Sequence, residues 1–100
     1  MRTIITLNPW AFAEFNKGDQ TVDIYCLWSS SEAEKRFYEI HPEYPTGVTY
    51  WKVSKYRRYT YGGRSYYLGR TNALVKRFSK YKYRFIFLMD DIWCTSDYLN

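Results

Sequence analysis

The sequence predicts an α+β domain, a single unit over residues 1–100 in the order β-α-β-α-β-β-α-β, with a mixed or antiparallel sheet and a basic β-hairpin. Three observations predict it. Segments of period two and segments of helical spacing follow one another along the chain. The chain is 46% hydrophobic and 22% aromatic over 100 residues, enough ring area to offset chain entropy in one small core. Turn and cap residues (Asn8-Pro9, Gly18, His41-Pro42, Gly62-Gly63, Asp90-Asp91) stand where one period gives way to another.

Taken in order, Thr3-Ile4-Ile5-Thr6-Leu7 reads as a strand and is too short for the apolar region of a signal peptide. Asn8-Pro9 offers an N-cap and a proline suited to a first helical position, so Trp10 to Lys17 is expected to make two helical turns ended by Gly18. Thr21 to Trp28 is a half-buried strand with Val22, Ile24, Cys26 and Trp28 on one face. Ser31 and Glu34 form a capping-box pattern before a helix with Ala33, Phe37 and Ile40 on one stripe. The stretch from His41 to Gly47 ends it. Val48 to Tyr61 is strand-like, as one bent strand or two broken near Ser54. Gly62-Gly63 is a hairpin turn signal that sets Tyr61 opposite Arg64, Tyr59 opposite Tyr66 and Arg57 opposite Leu68 on one face, with Arg58, Tyr67, Thr60 and Ser65 on the other. Thr71 or Asn72 caps a helix with Leu74, Phe78 and Tyr81 inward and Lys76, Arg77 and Lys80 outward. Tyr83 to Met89 is almost continuously apolar, a strand buried on both faces. Residues 90–100 read as a loosely packed tail.

Charge divides the chain more sharply than hydropathy does. Residues 1–43 hold four basic and seven acidic side chains, and residues 90–100 hold three acids and no base. Between them, residues 44–89 carry eleven Lys or Arg, nine of the twelve tyrosines, and no Asp or Glu. A block of one sign repels itself unless it is spread over a solvated face or meets a polyanion. DNA or RNA is the expected partner, and an acidic protein surface is the alternative. Within the block the hairpin interleaves guanidinium groups for phosphate oxygens with flat rings for bases or sugars. The expected contact residues are Lys55, Arg57, Arg58, Tyr59, Tyr61, Arg64, Tyr66, Arg70, Lys76, Arg77 and Lys80.

Chemistry is harder to find. His41 is the single histidine, and Cys26 and Cys94 stand far apart, so zinc spacing is missing and reduced thiols are expected over a disulfide. No Ser/His/Asp set and no phosphate-cradling glycine loop is present. No metal or other cofactor and no catalytic residue is expected. No apolar run reaches the ~18 residues of a membrane span, and a cytoplasmic setting is expected.

The segment Tyr67-Leu68-Gly69-Arg70-Thr71-Asn72-Ala73-Leu74-Val75-Lys76-Arg77 resembles the second half of the GIY-YIG nuclease signature. It has a Tyr-hydrophobic-Gly strand end, a capping turn, and an Arg eight residues after the Gly. In that family two tyrosines and the arginine surround the scissile phosphate, and a later glutamate holds a divalent metal. The resemblance implies Tyr67 and Arg77 as the matching site residues, with Gly69 at the strand end. The first half departs from the pattern: Gly47-Val48-Thr49-Tyr50 has an extra residue and lies far upstream, and Tyr56 lacks a preceding Gly-Ile. The last glutamate is Glu43, leaving only Asp90, Asp91 and Asp97 downstream. More loosely, Gly47-Val48 with Gly63-Arg64-Ser65-Tyr66-Tyr67-Leu68-Gly69 resembles the Apetala-type DNA-binding domain, whose three-stranded sheet lies in the major groove.

The expected function is therefore a small basic nucleic-acid-binding accessory protein that contacts phosphates through the hairpin and the helix after it. The alternative is an interaction or inhibitor protein that docks on a host or defence protein without catalysis. In its compact, tyrosine-rich character the chain is similar to small accessory proteins of phages and mobile elements. A degenerate GIY-YIG-type nuclease is the third reading.

Overall fold

The Asn8-Pro9 pair that predicts a helix leads instead into a strand. In the computed structural model, which describes residues 8–43, 56–61 and 64–99, β1 runs Trp10–Asn16 and β2 runs Thr21–Leu27. The expected strand at 3–7, residues 48–55 of the expected strand, and the Gly62-Gly63 turn lie outside the described residues. Tertiary context overrides the local cap signal in β1. Ala11, Phe12 and Ala13 are all completely buried, because β1 has a strand on each side and apolar packing on both faces. A strand buried on both faces shows no alternation, which is why it was readable as a helix. The turn that follows is held by Asn16, whose Oδ1 accepts from the Gly18 and Asp19 N–H groups at 3.0 and 3.3 Å, with Gln20 left-handed at φ 57°.

Helix α1 spans Ser30–Ile40. Its cap lies two residues before the expected one. Ser29 Oγ accepts from the Glu32 N–H, and Glu32 Oε1 accepts from the Trp28 N–H, so the two side chains of the cap satisfy backbone amides that the helix leaves unpaired. Ala33 and Phe37 are buried as the stripe predicts. The hairpin β3 (Tyr56–Tyr61) and β4 (Arg64–Arg70) forms with the predicted register, Tyr61 opposite Arg64 through Arg57 opposite Leu68. Helix α2 covers Thr71–Arg77. β5 (Lys82–Met89) has Phe85, Ile86 and Phe87 buried in succession, as expected for a strand covered on both faces.

The last residues are not a loose tail. Asp90 and Asp91 both adopt positive φ, 53° and 62°, the backbone that a two-residue hairpin turn requires and that aspartate tolerates better than most residues. They connect β5 to β6 (Ile92–Thr95), with Met89 opposite Ile92. Farther on, Leu99 bridges back to Tyr83.

The fold class is α+β as expected, with the first expected helix replaced by a strand and a strand added at the end. Three hairpins lie side by side in one mixed sheet of order β3-β4-β1-β2-β5-β6. All neighbours are antiparallel except β2 and β5, which are parallel. One helix covers each face. Beneath α1, Phe12, Leu27, Ala33, Phe37, Tyr66 and Leu68 pack together, with Phe12 stacked on Tyr25 at 4.6 Å and edge-on to Phe37 at 5.2 Å. Beneath α2 lie Ala11, Ala13, Val22, Ile24, Cys26, Tyr67, Leu74, Phe78, Phe85 and Phe87. Burial pushes the Cys26 thiol up to about 12, so it behaves as an inert apolar group. Both cysteines are free, Cys94 being only half-buried at the edge strand.

His41 ties three elements together at the end of α1. It is 4% exposed. Its Nε2 faces Glu14 of β1 at 3.6 Å, and its Nδ1 faces Glu43 at 3.4 Å and the Tyr66 hydroxyl of β4 at 3.5 Å. Glu14 is shared with Arg64 at 3.4 Å. The Glu14 carboxylate raises the His41 pKa, against the opposing effect of burial, and Glu43 adds to the rise.

Two measurements follow from this packing. A folded pKa above the ordinary value of about 6.5 means that His41 contributes stability fully below that value and loses it as pH rises through the raised pKa. The difference in melting temperature between wild type and His41→Gln is therefore expected to shrink from about pH 6 to about pH 9; a constant difference would show that the imidazolium pairing is energetically silent. The second concerns α2, which rests on β4, β1 and β2 rather than chiefly on β5. Phe78, just past the helix, is fully buried and meets Tyr67 edge-on at 4.7 Å. Phe78→Ala is expected to cost about 3–5 kcal/mol, whereas Lys80→Ala, at an exposed position, should change stability by no more than about 0.5 kcal/mol. Chemical denaturation measures both.

Candidate functional site

Alternation along the hairpin divides its cations between the two faces of the sheet. Opposite residues of an antiparallel pair share a face, so Arg57 stands with Leu68 on the α1 side and Arg58 with Tyr67 on the α2 side. Arg64 and Arg70 belong to the α1 side, where Arg64 pairs with Glu14 and the Arg70 guanidinium lies 4.4 Å over the Trp10 ring. Tyr66, expected as a contact residue, is 1% exposed on that same side. Its ring is core and its hydroxyl is directed to His41, so it offers no surface for a base. Tyr59 and Tyr61 take part as backbone positions of β3, and Lys55 lies outside the described residues. The alternation expected from the sequence thus holds, and it divides the expected contact residues between two faces.

Acids meet three of the cations on the α1 side, while Arg57 and Arg70 there have no ion-pair partner among the described residues. Arg84 Nε donates to Asp23 at 2.7 Å, and Arg36 pairs with Glu39 at 3.1 Å and with Asp91 at 3.3 Å. Glu14 and Asp23 stand directly opposite each other in register across β1 and β2. Like charges so placed repel, and Arg64 and Arg84 on the outer sides neutralise them. Tyr25 beside them is pushed up to about 12, by burial first and then by the two carboxylates. These charges are internally balanced.

The α2 side is different. Helix residues Asn72, Ala73, Lys76 and Arg77 form one stripe, because positions i, i+1, i+4 and i+5 share a face. That stripe and Tyr56 of β3 line a cleft of about 510 Å³. The Arg77 guanidinium lies 5.5 Å from the Tyr67 ring centre and 5.3 Å from that of Phe78. The Tyr56 and Tyr67 rings are 5.9 Å apart. Arg58, Lys76, Arg77 and Lys80 are exposed. Among the described residues none of these four has an ion-pair partner. Fixing a guanidinium over two rings leaves its outward N–H groups free to donate in a set plane.

Of the expected contact residues, the structure brings Lys76 and Arg77 into this cleft, with Arg58 on the same face of the sheet. Tyr56, Asn72 and Ala73 also line it and were not among the expected contacts. The signal for them was available in part: the stripe is legible once α2 is placed, but the position of Tyr56 depends on the β3–β4 register.

Tyr56, Tyr67 and Arg77 do meet, as two tyrosines and an arginine do at the nuclease site that the sequence resembles. The metal implied by that resemblance has no fitting donor set: Tyr56, Asn72, Ala73, Lys76 and Arg77 line the cleft, and none is a carboxylate. Among the described residues no three His, Cys, Asp or Glu side chains come together to hold a metal. Also among these residues, no helix is long and apolar enough to cross a membrane. Comparison of the chain with protein families, with curated proteins and with solved structures finds no match.

Proposed function

We propose that this chain is a small, non-enzymatic nucleic-acid-binding protein of the cytoplasm that takes hold of phosphates on the α2 side of its sheet. One observation carries the reading: Arg58, Lys76, Arg77 and Lys80 are exposed on or beside α2 with no acidic partner among the described residues, whereas Arg36, Arg64 and Arg84 are paired with acids. A cation already neutralised by a carboxylate releases few counterions when a phosphate approaches; an unpaired one releases its full share. The resemblance to a nuclease enters as a scaffold for binding, since phosphodiester cleavage by that route needs a metal-holding carboxylate that the cleft lacks.

A second reading, docking on another protein, draws on a separate place. Trp28, Met89 and Ile92 are 52%, 44% and 67% exposed and gather at one end of the β2, β5 and β6 strands. Apolar side chains grouped in this way mark protein contacts more often than nucleic-acid contacts.

Salt separates the readings. Four phosphate contacts weaken binding by about a hundredfold between 50 and 200 mM salt, while an apolar interface loses far less. Arg58→Ser, Lys76→Ser and Arg77→Ser together should remove most of the affinity for nucleic acid and flatten its salt dependence, with a native circular dichroism spectrum. Arg64→Ser should bind nearly as wild type does. Equal losses from both would put the contact face elsewhere. Plasmid incubated with the protein and Mg²⁺ or Mn²⁺ is expected to stay supercoiled, and nicking abolished by Tyr67→Phe or Arg77→Ala would establish catalysis instead.

A further inference from the structure

Resting on the nucleic-acid reading above, we infer that the α2 cleft takes an unpaired base, with its ring against Tyr56 and the adjoining phosphate on Lys76 and Arg77, so that the ligand is single-stranded nucleic acid. The shape argues for this. A surface that only held the outside of a duplex would need cations alone. Here they stand at the rim of a concavity of about 510 Å³, within the size range of clefts that hold small molecules. Its floor is the half-buried Tyr56 ring and the Ala73 methyl. In a duplex each base has both ring faces covered by its neighbours, so none can lie on Tyr56; a base in a single strand, a loop or a frayed end can.

Polarity argues the same way. Asn72 is exposed on the cleft wall and has both a donor and an acceptor for the edge of a base. Lys76 follows it by one helical turn, with Arg77 next to it. Tyr67, edge-on to Phe78 at 4.7 Å, backs the Arg77 guanidinium. Ring below, amide at the wall and two cations at the rim match a base, its edge and its phosphate. DNA and RNA strands both offer them.

The test is fluorescence anisotropy at one salt concentration with three labelled probes: a DNA strand, the RNA strand of the same sequence, and the fully paired DNA duplex. At least one single strand is expected to bind about tenfold tighter than the duplex, and the stronger of the two tells RNA from DNA as the source. Tyr56→Leu, which keeps apolar bulk without a flat ring, should weaken single-strand binding about tenfold and leave duplex binding unchanged. Tyr56→Phe should retain wild-type affinity, and Lys76→Ser with Arg77→Ser should weaken every probe. Should Tyr56→Leu fail to fold, a strand carrying 5-iodouracil, irradiated on the wild-type protein, is expected to crosslink at Tyr56. Equal affinity for strand and duplex, an undiminished folded Tyr56→Leu, or crosslinks confined to other residues would overturn the inference while the nucleic-acid reading stood. Absence of binding to all three probes would overturn both.

Discussion

The whole architecture depends on β1 being sealed on both faces and both edges. Ala11 and Ala13 face α2, and Phe12 faces α1, so the strand presents little bulk on one side and a large ring on the other. Those small methyls leave room for Leu74 and Phe78 to come down onto the sheet. Phe12 in turn fills the space between Tyr25 and Phe37. A larger side chain at position 11 or 13 has nowhere to go, because interiors of native density give way only at a cost of about 1–3 kcal/mol or more. Through this strand the placement of α2, and with it the cleft, is fixed by residues that never approach a ligand.

The sequence made some of this legible and hid the rest for identifiable reasons. The β3–β4 register could be read from two glycines and the pattern of residues beside them, and the inward stripe of Leu74 and Phe78 from helical spacing. The first strand could not, because a run buried on both faces lacks the alternation that marks a strand, and Asn8-Pro9 supplied a plausible cap. The second turn of positive φ escaped because Asp-Asp is an uncommon choice where Asn-Gly or Asp-Gly is usual. As to the site, composition located the basic block and the hairpin register separated its two faces, but neither tells which cations find an acid. Arg57 and Arg58 are neighbours in sequence and lie on opposite sides of a sheet.

Pairing also separates what the charge total combines. On the α1 side, Glu14 and Asp23 draw Arg64, Arg84 and His41 into a closed set, whose partners come from the acidic half of the chain. That half is thus the counterpart of part of the basic block and not merely its contrast. Among the cations without an ion-pair partner in the described residues, Arg58, Lys76, Arg77 and Lys80 gather on or beside α2, and it is this group, not the net charge of +5, that sets the cleft apart electrostatically.

The parallel pairing of β2 with β5 has a consequence for how the chain comes together. Hairpins β1–β2 and β3–β4 close locally, but β2 meets β5 only after the chain has passed through α1, β3, β4 and α2. Until then the outer edge of β2 stands open, with its amides and carbonyls exposed to any strand that comes by. Closing so long a connection is slow compared with forming a hairpin. The partly made protein thus spends its most adhesive interval between the synthesis of β2 and that of β5, and a chaperone that shields a strand edge would act on it then.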